Sequence, residues 1–270
     1  MFILVTVLII YFNLNYKKGS HTLLTSRTVK ESSSQLKEVE DLIVKASGLL
    51  KARKDKEALH YFEQVLLMQP QNVKALWGKA EALRRSRKYD QAENLLKEIL
   101  SSDPGHTSSL ISLAFIMYKK ERFKEAKLIL ESVLDNPSCN NDDRALAYTL
   151  LSMLANQEIK NAAMFTKIKQ GNRIRGYLLK AKELAPELPE VHVGLGTFYL
   201  LAPKILGGDI RKATEELELA IRMAPDFATA NARLAQLYKK KGDLERYNFY
   251  IKRTEELDPE NEILEEIEKN

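Results

Sequence analysis

Residues 73–105 read VKALWGKAEALRRSRKYDQAENLLKEILSSDPG. Leu76, Ala80 and Leu83 recur at helical spacing along Val73–Arg87, and Lys88-Tyr89-Asp90 supplies a turn. Gln91-Ala92, Leu95-Leu96 and Ile99 then line one face of a second helix. Ser101-Ser102-Asp103-Pro104-Gly105 ends that helix, because proline cannot continue it and glycine frees the backbone just beyond. The stretch therefore predicts a hairpin of two helices. Ala80 and Ala92 have a steric task in it, since helix axes approach to about 8–10 Å only where the facing side chains are small.

The unit recurs along the chain. Prolines stand at Pro70, Pro104, Pro137, Pro186, Pro225 and Pro259, in steps of 34, 33, 49, 39 and 34 residues. A period near 34 with a terminal proline signals a solenoid of paired helices. One pair cannot bury its apolar face alone, so neighbours must stack. The same grammar gives Leu42, Ala46, Leu49, Ala58, Phe62 and Val65 in the first unit, and Leu110, Leu113, Ala114, Met117, Ala126, Leu130 and Val133 in the third. The fifth has Leu195-Gly196, Tyr199, Ala213, Leu217 and Ala220, and the sixth has Leu234-Ala235, Tyr238 and Ile251.

This pattern resembles the tetratricopeptide repeat (TPR) family: an apolar-plus-small pair and an aromatic in helix A, then Ala, an aromatic or Leu, Ala and Pro in helix B. It covers roughly residues 39–259. The resemblance implies an all-α, right-handed α-solenoid of about six helix pairs whose concave groove binds a peptide or helix. Tyr247 departs from it, standing where the sixth unit should have a small residue. The tail Glu260–Asn270 reads as an acidic capping helix with Ile263, Leu264 and Ile267 inward, as a solenoid end requires.

Two units are stretched, by inserts near 158–172 and 201–209. The first insert carries Lys160, Lys167, Lys169, Arg173 and Arg175 with no acidic residue from Lys160 to Arg175. It reads either as a solvated face or as a patch for anionic lipid or an acidic partner. The second is Leu201-Ala202-Pro203-Lys204-Ile205-Leu206-Gly207-Gly208-Asp209, with Asp209 placed to cap the next helix. Its Pro-Lys-Ile-Leu-Gly-Gly-Asp stretch is similar to exported bacterial TPR proteins that accompany TRAP-type solute transporters. That likeness covers only the last two units, and the chain lacks the N-terminal Cys of those lipoproteins.

Residues 1–16 form a hydrophobic segment and 17–38 a polar linker ahead of a solenoid over 39–270. Met1–Phe12, MFILVTVLIIYF, carries no charge. Twelve helical residues span about 18 Å against about 30 Å of hydrocarbon, and continuing to Tyr16 gives about 24 Å. The segment reads as an uncleaved membrane anchor, with a cleaved signal peptide and an exported, periplasmic domain as the alternative. Lys17-Lys18 after the segment, with no cation before it, favour a cytoplasmic repeat domain; further basic chain upstream would reverse that.

With 44% hydrophobic and 29% charged residues, the chain is too apolar for global disorder. The net charge of +5 is unevenly spread: residues 17–54 hold nine Lys/Arg and four Asp/Glu, whereas 255–270 hold one Lys and eight Asp/Glu. No reading element accompanies the basic part, so nucleic acid is not an expected partner. Cys139, the only cysteine, excludes an intramolecular disulfide and a Cys-cluster zinc site. His21, His60, His106 and His192 show no metal-ligand spacing, with His106 and His192 reading as surface or groove residues. Gly207-Gly208 lacks the phosphate-loop pattern, and no hydrolase signature is present. No cofactor, metal or catalytic residue is assigned, and the chain is read as a non-catalytic scaffold; the alternative is a ligand-binding accessory subunit for solute uptake, with an apolar cavity near 155–210.

The groove should be lined by Lys74, Trp77, Glu81 and Arg84 of the second unit and by Ile111, Phe115 and Tyr118 of the third. Trp77, next to core-facing Leu76, is either a groove anchor or packing against the neighbouring unit. TPR modules that clamp the C-terminal carboxylate of heat-shock chaperones use Lys and Asn from successive A helices. Here Ile43, Ser47 and Gly78 stand at those positions, so that clamp is absent.

Overall fold

The computed structural model describes residues 34–159 and 164–269. The hydrophobic segment 1–16 and the linker up to residue 33 lie outside the described residues, as does Lys160. Among the described residues there is no strand, and no helix is long and apolar enough to cross a membrane.

Helix α1 covers residues 34–51 and is followed by α2 (Asp55–Met68), α3 (Val73–Arg85), α4 (Tyr89–Ser102), α5 (Thr107–Lys119) and α6 (Phe123–Asp135). Then come α7 (Asn141–Gln157), α8 (Met164–Leu184), α9 (Pro189–Leu201), α10 (Ile210–Met223), α11 (Ala228–Lys241), α12 (Leu244–Leu257) and the cap α13 (Glu262–Glu268). Consecutive odd and even helices pair, and each A helix also packs on the next A helix, as with α3 on α5, α5 on α7, α7 on α9 and α9 on α11. Residues 34–38 of the expected linker are already helical, because Leu36 and Val39 continue the apolar spacing of α1 and Val39 is buried.

Both ends of each hairpin follow from local chemistry. After each proline the chain takes two or three residues and starts the next helix. Asn72 accepts from the Ala75 amide at 3.1 Å, His106 from Ser109 at 3.2 Å and Asn261 from Ile263 at 3.2 Å, satisfying amides that have no intrahelical partner. Within the hairpins, the A helix ends on a left-handed residue: Arg53 (φ 66°), Arg87 (φ 59°), Glu121 (φ 59°) and Gly242 (φ 75°). The following amides reach back, Lys54 to Leu49 O, Lys88 to Leu83 O, Arg122 to Met117 O and Asp243 to Tyr238 O. This is the Schellman closure, held three times by a residue that bears a Cβ.

The fourth position of the B helices α2, α4, α6 and α10 is small and fully buried: Ala58, Ala92, Ala126 and Ala213 are all at 0% exposure. In α12 that position is Tyr247. The helix pairing is made all the same, with Tyr247 half-buried and Tyr238 and Tyr250 stacked 5.6 Å apart at 4°. Between units the contact is closer still. Phe62 of α2 lies flat over Gly78 of α3, where a Cβ would stand 2.2 Å from its ring.

The extra residues of the fourth unit lengthen its helices instead of forming a long loop: α7 has 17 residues and α8 has 21. Residues 201–209 form a compact turn, and Asp209 caps α10 as expected, accepting from the Arg211 and Lys212 amides.

Two substitutions separate packing from propensity. Gly78→Ala drives a methyl into the Phe62 ring and should cost about 1–3 kcal/mol. Gly176→Ala, in α8 with open space around it, should gain about 1 kcal/mol. Urea denaturation midpoints of the two variants must move in opposite directions.

Candidate functional site

The concave face is built from the A helices, and the structure divides the seven expected groove residues into three groups. Lys74 is exposed. Ile111 is a core residue at 6% exposure, because it faces the α5–α7 packing and not the groove. Trp77, Arg84, Phe115 and Tyr118 are half-buried on α3 and α5, where Arg84 joins the Phe115 ring to the buried Glu81. Trp77 is half-buried between the first and second units, and its Nε1 is buried without a hydrogen-bond partner. The Arg84 guanidinium lies 4.2 Å from the Phe115 ring centre, while Tyr118 receives a 2.7 Å hydrogen bond from Gln157 and packs 5.7 Å from Phe123.

Glu81 is not a free groove carboxylate. Arg84 Nε donates to it at 2.8 Å, Arg85 Nε at 2.9 Å and Ser112 Oγ at 3.0 Å. Arg85 also donates to Leu50 O at 2.7 Å and to Asp55 at 3.1 Å, tying the second unit to the first. Burial disfavours the Glu81 charge, but the two guanidinium groups outweigh it and hold the carboxyl far below its ordinary range. Asp55, by contrast, is raised, chiefly by burial.

The network continues across the superhelix to residues far away in sequence. Arg53 donates to Glu190 at the start of α9, and its guanidinium sits 3.8 Å from the Phe227 ring centre at the start of α11. Burial, then the neighbouring Arg85 charge, lower the Arg53 pKa to about 10 despite Glu190. Arg53 Nε and Glu190 Oε2 are both buried without a partner. Arg87 binds Asp258 at 3.0 Å and Glu260 at 3.3 Å, and Lys119 pairs with Glu262. The ends of the first three A helices thus meet the starts of the fifth and sixth, and the cap.

These cross-turn residues were not read from the sequence as a site. Their only signal was the contrast between a basic N-terminal part and an acidic tail. The acidic tail is the cap: Ile263 and Ile267 pack on Ala232 and Ala235, while its carboxylates reach Arg87, Lys119 and Arg233. The structure corrects the reading of His192 as a surface or groove residue. It is 1% exposed, with Nδ1 2.6 Å from Glu216 and Nε2 2.7 Å from Pro186 O, since its place on α9 turns it into the α9–α10 contact. Of the basic insert, Arg173 is bound to Tyr177 OH at 2.9 Å, whereas Lys169 and Arg175 are exposed and Lys167 is half-exposed.

Removing the Glu81 charge leaves buried cations facing each other, so Glu81→Gln should cost about 3 kcal/mol in urea unfolding. Because the Glu81 carboxyl is lowered in the fold, its stabilisation is complete above the ordinary value of 4.5 and is lost as pH falls below it. Glu216 is lowered too and adds to that loss; Asp55, shifted the other way, offsets part of it. Stability of the Glu81→Gln variant should therefore fall less steeply than that of the native chain below pH 4.5.

The model of the cilia and flagella-associated protein 70 middle TPR-like domain matches residues 42–174, just under half of the chain. No curated protein matches by sequence. Among solved structures, the human IFIT1 dimer with m7Gppp-AAAA is similar at TM-score 0.59 and 19% identity, over 80% of this chain and 50% of that one. The APC/C hetero-tetramer Cut9-Hcn1 is similar at TM-score 0.57 and 15% identity, over 86% of this chain and 42% of that one. The chain spans about half the length of these neighbours or less, and at such identities they share its fold alone. Repeat period, small-residue contacts, Schellman closures and these likenesses agree on the fold: the chain is an all-α solenoid of the tetratricopeptide-repeat type.

Proposed function

We propose that the chain is a non-catalytic protein-interaction scaffold that holds a peptide or helix against the inner wall of its superhelix. The observation that carries this reading is the wall itself. Trp77, Arg84, Phe115 and Tyr118 put half-buried aromatic and guanidinium surface on one rigid face, the composition that dominates binding energy at protein interfaces. The TPR fold is typical of such scaffolds, and the similar Cut9 structure is of an assembly with Hcn1. The IFIT1 neighbour holds a capped oligonucleotide, but here the inner cations are answered by the chain's own carboxylates, which argues for a protein partner. We also propose that the segment 1–16 tethers this scaffold to a membrane or directs its export.

The solute-carrier alternative has less behind it. Surface cavities of about 250 and 220 Å³ lie at α12–α13 and α10–α12, away from 155–210, where Leu178, Leu195, Phe198 and Leu200 pack on one another.

Crosslinking and pull-down from membranes, comparing the native chain with Trp77→Ala, test the groove reading. Partners should be lost from the variant while its circular dichroism spectrum stays helical. An unchanged partner set makes Trp77 an internal packing residue and removes the proposed anchor. Arg87→Glu with Lys119→Glu, which repel the cap, should raise amide exchange in 258–268 and increase capture of the same partners.

A further inference from the structure

The two stretches by which the chain departs from its period meet on one surface. After α9 the backbone makes the 3-10 turn Lys204–Leu206 and returns through Gly207 at φ 98°. Gly208 N–H bonds to Pro203 O at 3.1 Å and Asp209 N–H to Tyr199 O at 2.9 Å. Gly208 has no room for a side chain, since a Cβ would fall 1.8 Å from Ala202 O. Leu206 rests on α8 at Gly171, where an added Cβ would stand 3.1 Å from it, and Gly207 lies beside the Arg175 side chain and the Phe198 ring.

This closed loop presents apolar side chains to solvent: Ile205 is 80% exposed and Leu201 is 51% exposed. Cations surround it. Lys204 is on the turn, Arg175 is beside Gly207, and Lys167 shares the α8 face of Gly171 and Arg175. Among the described residues none of these three forms an ion pair, unlike Arg53, Arg84, Arg85, Arg87 and Lys119. The neighbouring carboxylates are engaged elsewhere: Asp209 caps α10, Glu215 pairs with Arg211 at 3.0 Å, and Glu158 accepts from Gln170 at 2.5 Å.

An exposed apolar tip within unanswered cations fits a surface that is anionic outside and apolar just beneath. An acidic protein would answer the charges but offers no reason for Ile205 and Leu201 to stand free; a bilayer with acidic headgroups answers both. We propose that this face, formed by Leu201 and Ile205 with Lys167, Arg175 and Lys204, docks on anionic phospholipid, Ile205 entering the interface. It is a second surface, separate from the inner wall, and it does not rest on the groove reading or on the segment 1–16.

The test uses the full chain with Cys139→Ser and an environment-sensitive fluorophore on Ile205→Cys. Vesicles of phosphatidylcholine with phosphatidylserine should shift its emission to the blue, and phosphatidylcholine alone should not. The same label on Leu67→Cys, 86% exposed on α2, should stay unshifted, which separates loop insertion from tethering by another segment. Adding Arg175→Gln and Lys204→Gln should weaken the apparent vesicle affinity about 25-fold, or about fivefold for each cation. No shift with either vesicle overturns the proposal. An equal shift with both, insensitive to the charge variants, overturns its anionic part. A shift with polyglutamate but not with vesicles assigns the face to an acidic protein instead.

Discussion

Helices in this chain approach one another where side chains are missing, and the rest of the architecture follows from those few contacts. Phe62 lies over Gly78, Leu217 over Gly196, and Leu178 against Gly194, each where a Cβ would stand under 3 Å from the facing side chain. Between helices of one hairpin, fully buried alanines such as Ala92 and Ala126 do the same. Close backbones let the larger side chains interdigitate at interior density, which is where dispersion and burial stabilise most. Because the small positions recur with the period, each hairpin stacks in nearly the same geometry, and the small rotation per unit accumulates into a superhelix. The superhelix is tight enough that its beginning reaches its end.

That reach is made by charge. The Schellman residue of the first unit, Arg53, stands where its guanidinium crosses to Glu190 and Phe227, and the second, Arg87, crosses to Asp258 and Glu260. Left-handed backbone normally favours glycine, and each of these positions carries a long cation instead. The backbone cost is accepted because the side chain is needed at the hairpin tip, the part of the unit nearest the next superhelical turn. The third position, Glu121, has the same left-handed backbone, and among the described residues it forms no ion pair across the turn.

Hairpins, caps and small-residue contacts were legible because they are local: proline, asparagine and alanine report on neighbours within one period. Tyr247 breaks the small-residue rule for its position, which concerns volume alone, whereas its ring is accommodated half-buried at the edge of the core beside Tyr250. Ile111 and His192 were misplaced for a related reason. A face of an A helix touches both its own B helix and the next A helix, so periodicity cannot separate groove from inter-unit core. The cross-turn pairs were invisible, since the distance from Arg53 to Glu190 depends on how much each unit rotates on the last, and no residue pattern states that angle. The tail's acidity was visible, but its partners were not.

Closure and stacking differ in strength, and the difference bears on function. Apolar stacking between units is dry and continuous, whereas each ion pair across the turn must first lose its hydration. The pair at the centre is incompletely answered, with Arg53 Nε and Glu190 Oε2 both buried and unpartnered, while Glu260 and Glu262 at the rim remain largely exposed. Exposed pairs contribute about 0–1 kcal/mol, less than a buried leucine or phenylalanine in the stack. Under load the turn contacts therefore yield before the units part. On the groove reading, the residues nearest those weaker contacts are the ones proposed to bind: Trp77, Arg84, Phe115 and Tyr118.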